Sequence, residues 1–160
     1  MNILIVGQCG VGKTWVIKEL IGLSETVPAK IGLVDFRLSK DFNVAFAGKY
    51  TGTTFDGSDR LSMAVSKDFI KFKKCCDKNQ LSTIVEGDRF MNKKYLDVFK
   101  PTILKILGDG EVGRKARGSN QTEQHLKRIA TRVSNVEAVK EFESSTECYK
   151  WIRSKYFEKS

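Results

Sequence analysis

The sequence predicts a three-layer α/β fold, in which a five-stranded, mainly parallel sheet carries helices on both faces. Short apolar runs at residues 2–6, 31–37, 81–86, 102–107 and 136–142 are typical of buried strands. Segments with apolar residues at helical spacing separate most of these runs, which favours strand–helix–strand units. With 160 residues, 41% of them hydrophobic, the chain has the size of one domain with its own core.

A glycine-rich turn follows the first strand and precedes the first helical pattern. Residues 7–14 read GQCGVGKT, which matches G-x-x-x-x-G-K-[ST] at every fixed position. Backbone N–H groups of such a loop surround phosphates, and the helix that follows adds its positive end. We expect the lysine to contact the β- and γ-phosphates and the threonine hydroxyl to hold Mg²⁺. The motif therefore predicts a P-loop NTPase fold that binds a nucleoside triphosphate through Gly7, Gly10, Val11, Gly12, Lys13 and Thr14.

The second strand, at residues 31–37, is followed by a polar turn and another extended run at 43–47, so the two can form a hairpin inserted into the βαβ plan. Asp35 is expected at the end of the second strand. Ligands of doubly wound sheets bind at the carboxyl ends of the strands, so this carboxylate is a candidate catalytic group.

Residues 48–60 are rich in glycine, hydroxyl and carboxylate side chains, which indicates a loop. A solvated connection is one interpretation. The other is substrate contact through Asp56, Asp59 and Arg60. A helical stripe that starts at Leu61 predicts that the next helix packs against the core.

The strand at 81–86 ends in Glu86-Gly87-Asp88-Arg89. A carboxylate at this position suits a second Mg²⁺-organising group, and both Glu86 and Asp88 qualify. Arg89 is expected to contact a phosphate or Asp88. A structural salt bridge at the strand end is the alternative interpretation. Asn92 is the predicted N-cap of the helix that follows.

Beyond the fourth strand the chain becomes basic. Residues 109–122 form a flexible, glycine-bounded flap in this interpretation, and its Arg114 and Arg117 are candidates to neutralise phosphoryl charge. A solvated basic surface is the alternative. Asn120 is the predicted N-cap of the next helix, and Ser144 to Glu147 form a capping box at the last one.

The net charge of +9 indicates a polyanionic partner such as nucleic acid. The four cysteines contain no C-x-x-C pair, so a zinc site is not expected, and adjacent Cys75 and Cys76 favour buried thiols in a reducing compartment. No signal-peptide pattern or membrane-spanning apolar run is present, which favours a cytoplasmic protein without a membrane partner.

The phosphate loop, Asp35, the Glu86-to-Arg89 segment and the arginine-rich flap together resemble P-loop nucleoside and nucleoside-monophosphate kinases. The resemblance implies ATP and Mg²⁺ as cofactors, Asp35 as general base, and Arg114 and Arg117 as phosphate clamps. Residues 36–59 do not look like the usual monophosphate-binding helices, and the chain is short and basic. In these respects it is similar to phage 5-hydroxymethyluridine DNA kinases, which implies a DNA substrate and, for a phage-encoded protein, the host cytoplasm.

Kinases of free nucleosides or nucleoside monophosphates are the alternative acceptor class. Asp56 and Asp59 are second candidates for the base. A GTP-dependent switch is disfavoured because no D-x-x-G follows the third strand and residues 92–95 lack the final Asp of N-K-x-D. A mechanical or DNA-packaging ATPase without an acceptor is a further, less favoured class.

Overall fold

A computed structural model describes residues 1–52, 56–62, 64–118 and 121–158, and of residues 59 and 117 it describes the backbone only. The strands are β1 Asn2–Gly7, β2 Thr26–Ile31, β3 Val34–Ser39, β4 Val44–Ala47, β5 Ser82–Glu86, β6 Thr102–Ile106 and β7 Lys140–Phe142. The helices are α1 Lys13–Ile21, α2 Ser66–Lys78, α3 Lys93–Phe99, α4 Glu111–Arg117, α5 Glu123–Ser134 and α6 Ser145–Ile152. Short 3₁₀ turns span Ser58–Arg60 and Asp88–Phe90, and a π-helical turn, Arg153–Phe157, follows α6.

The described strands form one mixed, seven-stranded sheet in the order β2-β3-β4-β5-β1-β6-β7. The strands from β4 to β7 in this order pair in parallel, whereas β3 is antiparallel to both of its neighbours. The predicted α/β class with helices on both faces is confirmed, but the predicted count of five strands is wrong. Strand β1 lies between β5 and β6. The loop that follows β1 therefore lies at the centre of the edge formed by the carboxyl ends of the parallel strands.

Two strands raise the count. Strand β4 corresponds to the extended run predicted at 43–47, and it forms the suggested hairpin with β3. Strand β2 lies where the sequence suggested a connection before a single strand at 31–37. Residues 26–39 instead form a hairpin that turns at residues 32 and 33. Pro28 lies in β2, where the edge position tolerates its missing N–H. Asp35 is consequently the second residue of an antiparallel strand, not the last residue of a parallel one.

Alternation along β1 divides the core between the two faces of the sheet. Ile3 and Ile5 pack with α1 and α6 on one face. Leu4 and Val6 pack with α2 and α3 on the other. Each strand of the sheet's centre is therefore covered on both sides, as a mostly parallel sheet requires.

Several local expectations change at the helix ends. The N-cap of α5 is Thr122, whose hydroxyl accepts from the His125 N–H at 3.1 Å, whereas Asn120 lies outside the described residues. The flap that was expected to be flexible contains a seven-residue helix, α4. Helix α2 begins at Ser66, although Leu61 already packs in the core. The N-caps Asn92 and Ser144 are confirmed, since each accepts from the backbone N–H three residues on at 3.2 Å.

All four cysteines are free thiols. Cys76 and Cys148 are buried, and burial raises the pKa of each thiol to about 12. Cys75 is exposed, so the expectation that both adjacent thiols are buried is half wrong. Within the described ranges, none of the helices has the length and apolar character needed to cross a lipid bilayer.

Candidate functional site

The glycine-rich loop joins the buried end of β1 to the first turn of α1. Gly12 adopts φ 101° and ψ 23°, a left-handed conformation in which a side chain is strained, and no side chain caps the helix there. A Cβ atom at Gly12 would also lie 2.7 Å from Ser145 at the start of α6. The loop therefore fits against α6 only with glycine at this position. The amino end of α1 is left to an anion, the usual partner of such helix ends.

The Lys13 side chain folds back over the loop. Its ammonium group donates to the carbonyl oxygens of Gly7 at 2.8 Å and Gln8 at 3.0 Å. This arrangement holds a positive charge at the start of the loop, and phosphate oxygens are equivalent acceptors for the same ammonium group.

Thr14, at the start of α1, contacts Glu86, at the end of β5. The Thr14 hydroxyl donates to Glu86 Oε1 at 2.5 Å. Glu86 is the last residue of β5 and is only 5% exposed. Because β5 pairs in parallel with β1, with Glu86 opposite Ile5, the two strand ends bring this carboxylate directly beside the loop.

The segment after β4 covers this hydroxyl–carboxylate pair. Gly57 lies so close that a Cβ atom there would be 2.8 Å from Glu86 Oε1 and 3.1 Å from Thr14 Oγ1. The Ser58 hydroxyl donates to the Glu86 carbonyl oxygen at 2.6 Å. Glycine at position 57 thus leaves space beside the pair, and Ser58 fixes the segment to the end of β5.

A cavity of about 430 Å³ lies above the loop. Its wall combines the loop and α1, the end of β5, helix α4 and helix α5. The lining residues are Cys9, Gly10, Gly12, Lys13, Thr14, Trp15, Lys18, Glu86, Gly87, Asp88, Gly113, Ala116, Gln121 and Ile129. The volume is in the range of small-ligand sites. The predicted phosphate-loop and metal-ligand residues therefore share one cavity, with the exception of Gly7 and Val11, which support the loop from outside the lining.

The oxygen donors of this cavity suit Mg²⁺. They are the Thr14 hydroxyl and the carboxylates of Glu86 and Asp88, and Mg²⁺ is usually bound by one or two carboxylates together with substrate phosphates and water. Across the described residues, no three His, Cys, Asp or Glu side chains gather into a metal-binding group. The donor set fits a metal that arrives with a phosphate ligand better than one held by protein atoms alone.

Asp88 and Arg89 occupy different environments. Asp88 lines the cavity, and its carboxylate accepts from the Arg132 guanidinium at 2.7 Å. Arg89 donates at 3.0–3.1 Å to the carbonyl oxygens of Ser58, Leu61 and Ser62. In these contacts Arg89 anchors the segment after β4, and the expected partner Asp88 is held by Arg132 instead.

The side chain of Asp56 is fully buried. Its carboxylate pairs with Arg60 at 2.9 Å and Lys18 at 3.2 Å, and accepts from the Gly52 N–H at 2.6 Å and from the Thr51 hydroxyl at 3.1 Å. Asp56 and Arg60, both predicted to contact substrate, thus organise their own loop and tie it to α1. The side chain of Asp59 lies outside the described part of the chain.

Asp35 stands away from the cavity. Strands β4 and β5 separate β3 from β1, which places Asp35 three strand spacings, or about 14 Å, from the strand that leads into the loop. Its carboxylate lies 3.9 Å from the Lys49 ammonium group. It does lie at the same edge of the sheet as the cavity, because its carbonyl oxygen accepts from the Gly48 N–H just beyond β4.

Helix α4 packs directly on the outside of the glycine-rich loop. Gly113 lies against the Gly10 carbonyl group, where an added Cβ atom would overlap the carbonyl oxygen. The Arg114 guanidinium donates to the carbonyl oxygens of Cys9, at 2.9 Å, and Asp109. Arg114 therefore braces the loop in this arrangement, whereas Gly113 and Ala116 line the cavity. The Arg117 side chain is not among those described.

Eight of the cavity residues were not predicted from the sequence as site residues: Cys9, Trp15, Lys18, Gly87, Gly113, Ala116, Gln121 and Ile129. A signal was available for Lys18, because it follows Thr14 by four residues and so lies on the same helix face. Trp15 follows the motif directly. The positions of Gln121 and Ile129 depend on the packing of α5, which no local pattern specifies.

No protein-family model matches the chain, and no curated protein matches it. The resemblance to P-loop kinases therefore stays a prediction based on motifs, and the geometry of the cavity is the basis for assigning a function.

Proposed function

We propose that this chain is a P-loop phosphotransferase that uses ATP and Mg²⁺ to phosphorylate a hydroxyl group on a modified base in DNA, of the 5-hydroxymethyluridine type. The observation that carries the proposal is the hydrogen bond between Thr14 and Glu86 in the cavity above the glycine-rich loop. Such a loop with a strand-end carboxylate beside its threonine forms the two halves of a nucleoside-triphosphate site.

Each part of the site has a role in this proposal. The loop N–H groups and the amino end of α1 bind the phosphates. Lys13 exchanges its carbonyl acceptors, Gly7 and Gln8, for phosphate oxygens. Thr14 and Glu86 would hold Mg²⁺, which when bound supplies positive charge to the β- and γ-phosphate oxygens.

In the transfer step, the acceptor hydroxyl oxygen forms a bond to the γ-phosphorus. The bond from that phosphorus to the β,γ-bridging oxygen breaks, and its electron pair leaves with ADP. The hydroxyl proton passes to a carboxylate. Two described carboxylates lie on the cavity wall: Glu86, which is buried beside Thr14, and Asp88, whose side chain is 25% exposed. Asp35 lies on β3, about three strand spacings from β1 and outside the cavity lining. Position in the cavity therefore favours Asp88 as the proton acceptor, although its ion pair with Arg132 stabilises the ionised carboxylate. The kinase resemblance alone favours Asp35.

Two conservative substitutions separate these carboxylates. If Asp88 accepts the proton, Asp88→Asn lowers kcat by roughly 10²- to 10⁴-fold, and Asp35→Asn stays near the wild-type rate. The opposite pattern would assign the base to Asp35. Circular dichroism of both variants controls for folding.

Charge supports DNA as the acceptor. The chain carries a net charge of +9. Helix α5, whose Ile129 lines the cavity, also exposes Lys127, Arg128 and Arg132 to solvent. Arg132 contacts the cavity residue Asp88, and Arg128 precedes Arg132 by about one helical turn. Exposed cations in this position suit a sugar–phosphate backbone that delivers one base to the loop.

The direct test is transfer of label from γ-labelled ATP to a panel of acceptors: free nucleosides, nucleoside monophosphates, plain DNA and DNA with hydroxymethylated pyrimidines. We expect label only on the hydroxymethylated DNA. Lys13→Ala should abolish transfer, and the matched exposed variant Lys150→Ala should not change it. Label on free nucleosides or nucleotides alone would make the protein a small-molecule kinase. ATP hydrolysis without any labelled acceptor would contradict the phosphotransferase.

Salt dependence tests the DNA contact separately. Loss of one phosphate contact should reduce the slope of log K against log salt by about 1, so we expect this change from Arg128→Ala. Lys74→Ala, which removes an exposed charge on α2, is the matched control. Equal slopes for wild type and Arg128→Ala would exclude Arg128 from the DNA contact.

A further inference from the structure

One aromatic ring stands in the cavity beside the phosphate loop. Trp15 lies in the first turn of α1, next to Thr14; it lines the cavity and is 41% exposed. Among the large apolar residues that the described part of the chain exposes, Trp15 is the aromatic one. The second tryptophan, Trp151, instead packs against the core with ring contacts to Phe142 and Tyr156.

The Trp15 ring is supported at a fixed angle. Its centroid lies 5.8 Å from that of Tyr149 on α6, with 71° between the two planes, which is an edge-to-face contact. Tyr149 itself packs against the buried cluster formed by α1 and α6. A ring held in this way offers a planar apolar surface and loses little conformational entropy when a ligand binds.

The position of Trp15 relative to the sheet selects between two ligands, the nucleotide donor and the acceptor. Trp15 contacts α6, whose neighbouring strands are β6 and β7, and the start of α6 also contacts Gly12 of the loop. The carboxylates Glu86 and Asp88 lie at the end of β5, on the other side of β1. Attacking and leaving oxygens stand roughly in line across the transferred phosphorus. An acceptor on the β5 side therefore requires the leaving nucleotide on the β6 side.

We infer that Trp15 is the surface on which the nucleobase of the bound nucleoside triphosphate stacks, an inference that rests on the proposed function. The triphosphate occupies the loop, and its base extends toward α6 and covers the exposed indole. Stacking of a base on an aromatic side chain corresponds to about a 5- to 150-fold change in affinity when the ring is removed. This contact selects a planar base, whereas the loop itself binds any triphosphate.

Intrinsic fluorescence with a base-free ligand tests the inference. In the Trp151→Phe variant, Trp15 is the single tryptophan of the chain. Mg²⁺ with ATP should quench its emission. Mg²⁺ with inorganic tripolyphosphate should leave the emission unchanged, although it competes with ATP for the loop. By calorimetry, Trp15→Ala should weaken ATP binding about 5- to 150-fold and leave tripolyphosphate binding unchanged, and Trp15→Phe should restore part of the loss.

The other outcomes would overturn the inference in distinct ways. Equal ATP affinity for wild type and Trp15→Ala would show that the base does not stack there, while the phosphate site stands. An equal loss of ATP and tripolyphosphate binding would show that Trp15 only supports the loop. Quenching by single-stranded DNA but not by ATP would place the ring on the acceptor side. If wild type binds neither ATP nor tripolyphosphate, the proposed function fails and the stacking inference fails with it.

Discussion

Replacing Asp56 with alanine should destabilise the protein substantially, although sequence alone suggests a substrate-binding carboxylate in a loop. Among the described residues, donor groups of Thr51, Gly52, Arg60 and Lys18 contact this side chain. The carboxylate is fully buried, so it is stabilised by these protein groups and not by solvent. Its removal leaves the segment after β4 without its central acceptor and without its connection to α1.

The size of the effect follows from these contacts. Hydrogen bonds to a charged group each contribute about 1.5–3 kcal/mol, and removing one partner of a buried ion pair costs about 3–5 kcal/mol. The side chains of Lys18 and Arg60 are 37% and 36% exposed, so both cations regain hydration when the carboxylate is lost. We therefore expect Asp56→Ala to lower the free energy of unfolding by about 2–4 kcal/mol, a large share of a typical domain's stability.

Urea denaturation followed by circular dichroism measures this change. Glu111→Ala is the matched control, because it removes a carboxylate that is 58% exposed and pairs with Lys115 on the helix surface. That variant should lose less than about 1 kcal/mol. Asp56→Asn, which keeps the shape and part of the hydrogen bonding, should fall between the control and Asp56→Ala. A free energy of unfolding for Asp56→Ala within about 0.5 kcal/mol of wild type would refute the anchoring role.

Two further predictions concern packing and ionisation. Gly113→Ala places a methyl group against the Gly10 carbonyl and should cost about 1–3 kcal/mol despite the better helix propensity of alanine, whereas Val112→Ala, at an 83% exposed position, should be nearly neutral in the same urea assay. A Gly113→Ala variant more stable than wild type would contradict the close packing of α4 on the loop. Burial raises the pKa of the thiols Cys76 and Cys148 from 9.0 to about 12, so the unfolded chain loses these protons first as pH rises. Stability should therefore decline between pH 9 and about 12, with a smaller decline in Cys148→Ala, and identical pH profiles for the two proteins would exclude this cause.

The glycine-rich turn between β1 and α1 was predictable because its sequence signal is local. Eight consecutive residues specify the turn, the lysine and the threonine, and the preceding apolar run specifies the strand. The position of Glu86 beside the loop was predictable for a related reason, because the carboxyl ends of neighbouring parallel strands lie at one edge of the sheet. The structure adds the 2.5 Å contact with Thr14, which depends on the register of β5 on β1.

The remaining contacts depend on tertiary packing. Strand β2 was missed because its sequence, TVPAKI, contains a proline and no continuous apolar run, and its edge position in the sheet tolerates both features. Arg89 has the sequence context of a phosphate ligand, but three carbonyl groups of the segment after β4 surround its guanidinium. The burial of Asp56 requires Lys18, 38 positions earlier in the sequence, which no local pattern indicates.

Calorimetric titration with a non-hydrolysable ATP analogue is the most direct test that the loop and Glu86 form one triphosphate site. We expect wild type to bind the analogue more tightly with Mg²⁺ than without it, and Glu86→Gln to lose this metal dependence. Lys13→Ala should weaken binding by about 100-fold or more, because it removes an ammonium group that donates to more than one oxygen. Equal affinities for wild type, Lys13→Ala and Glu86→Gln would contradict the site.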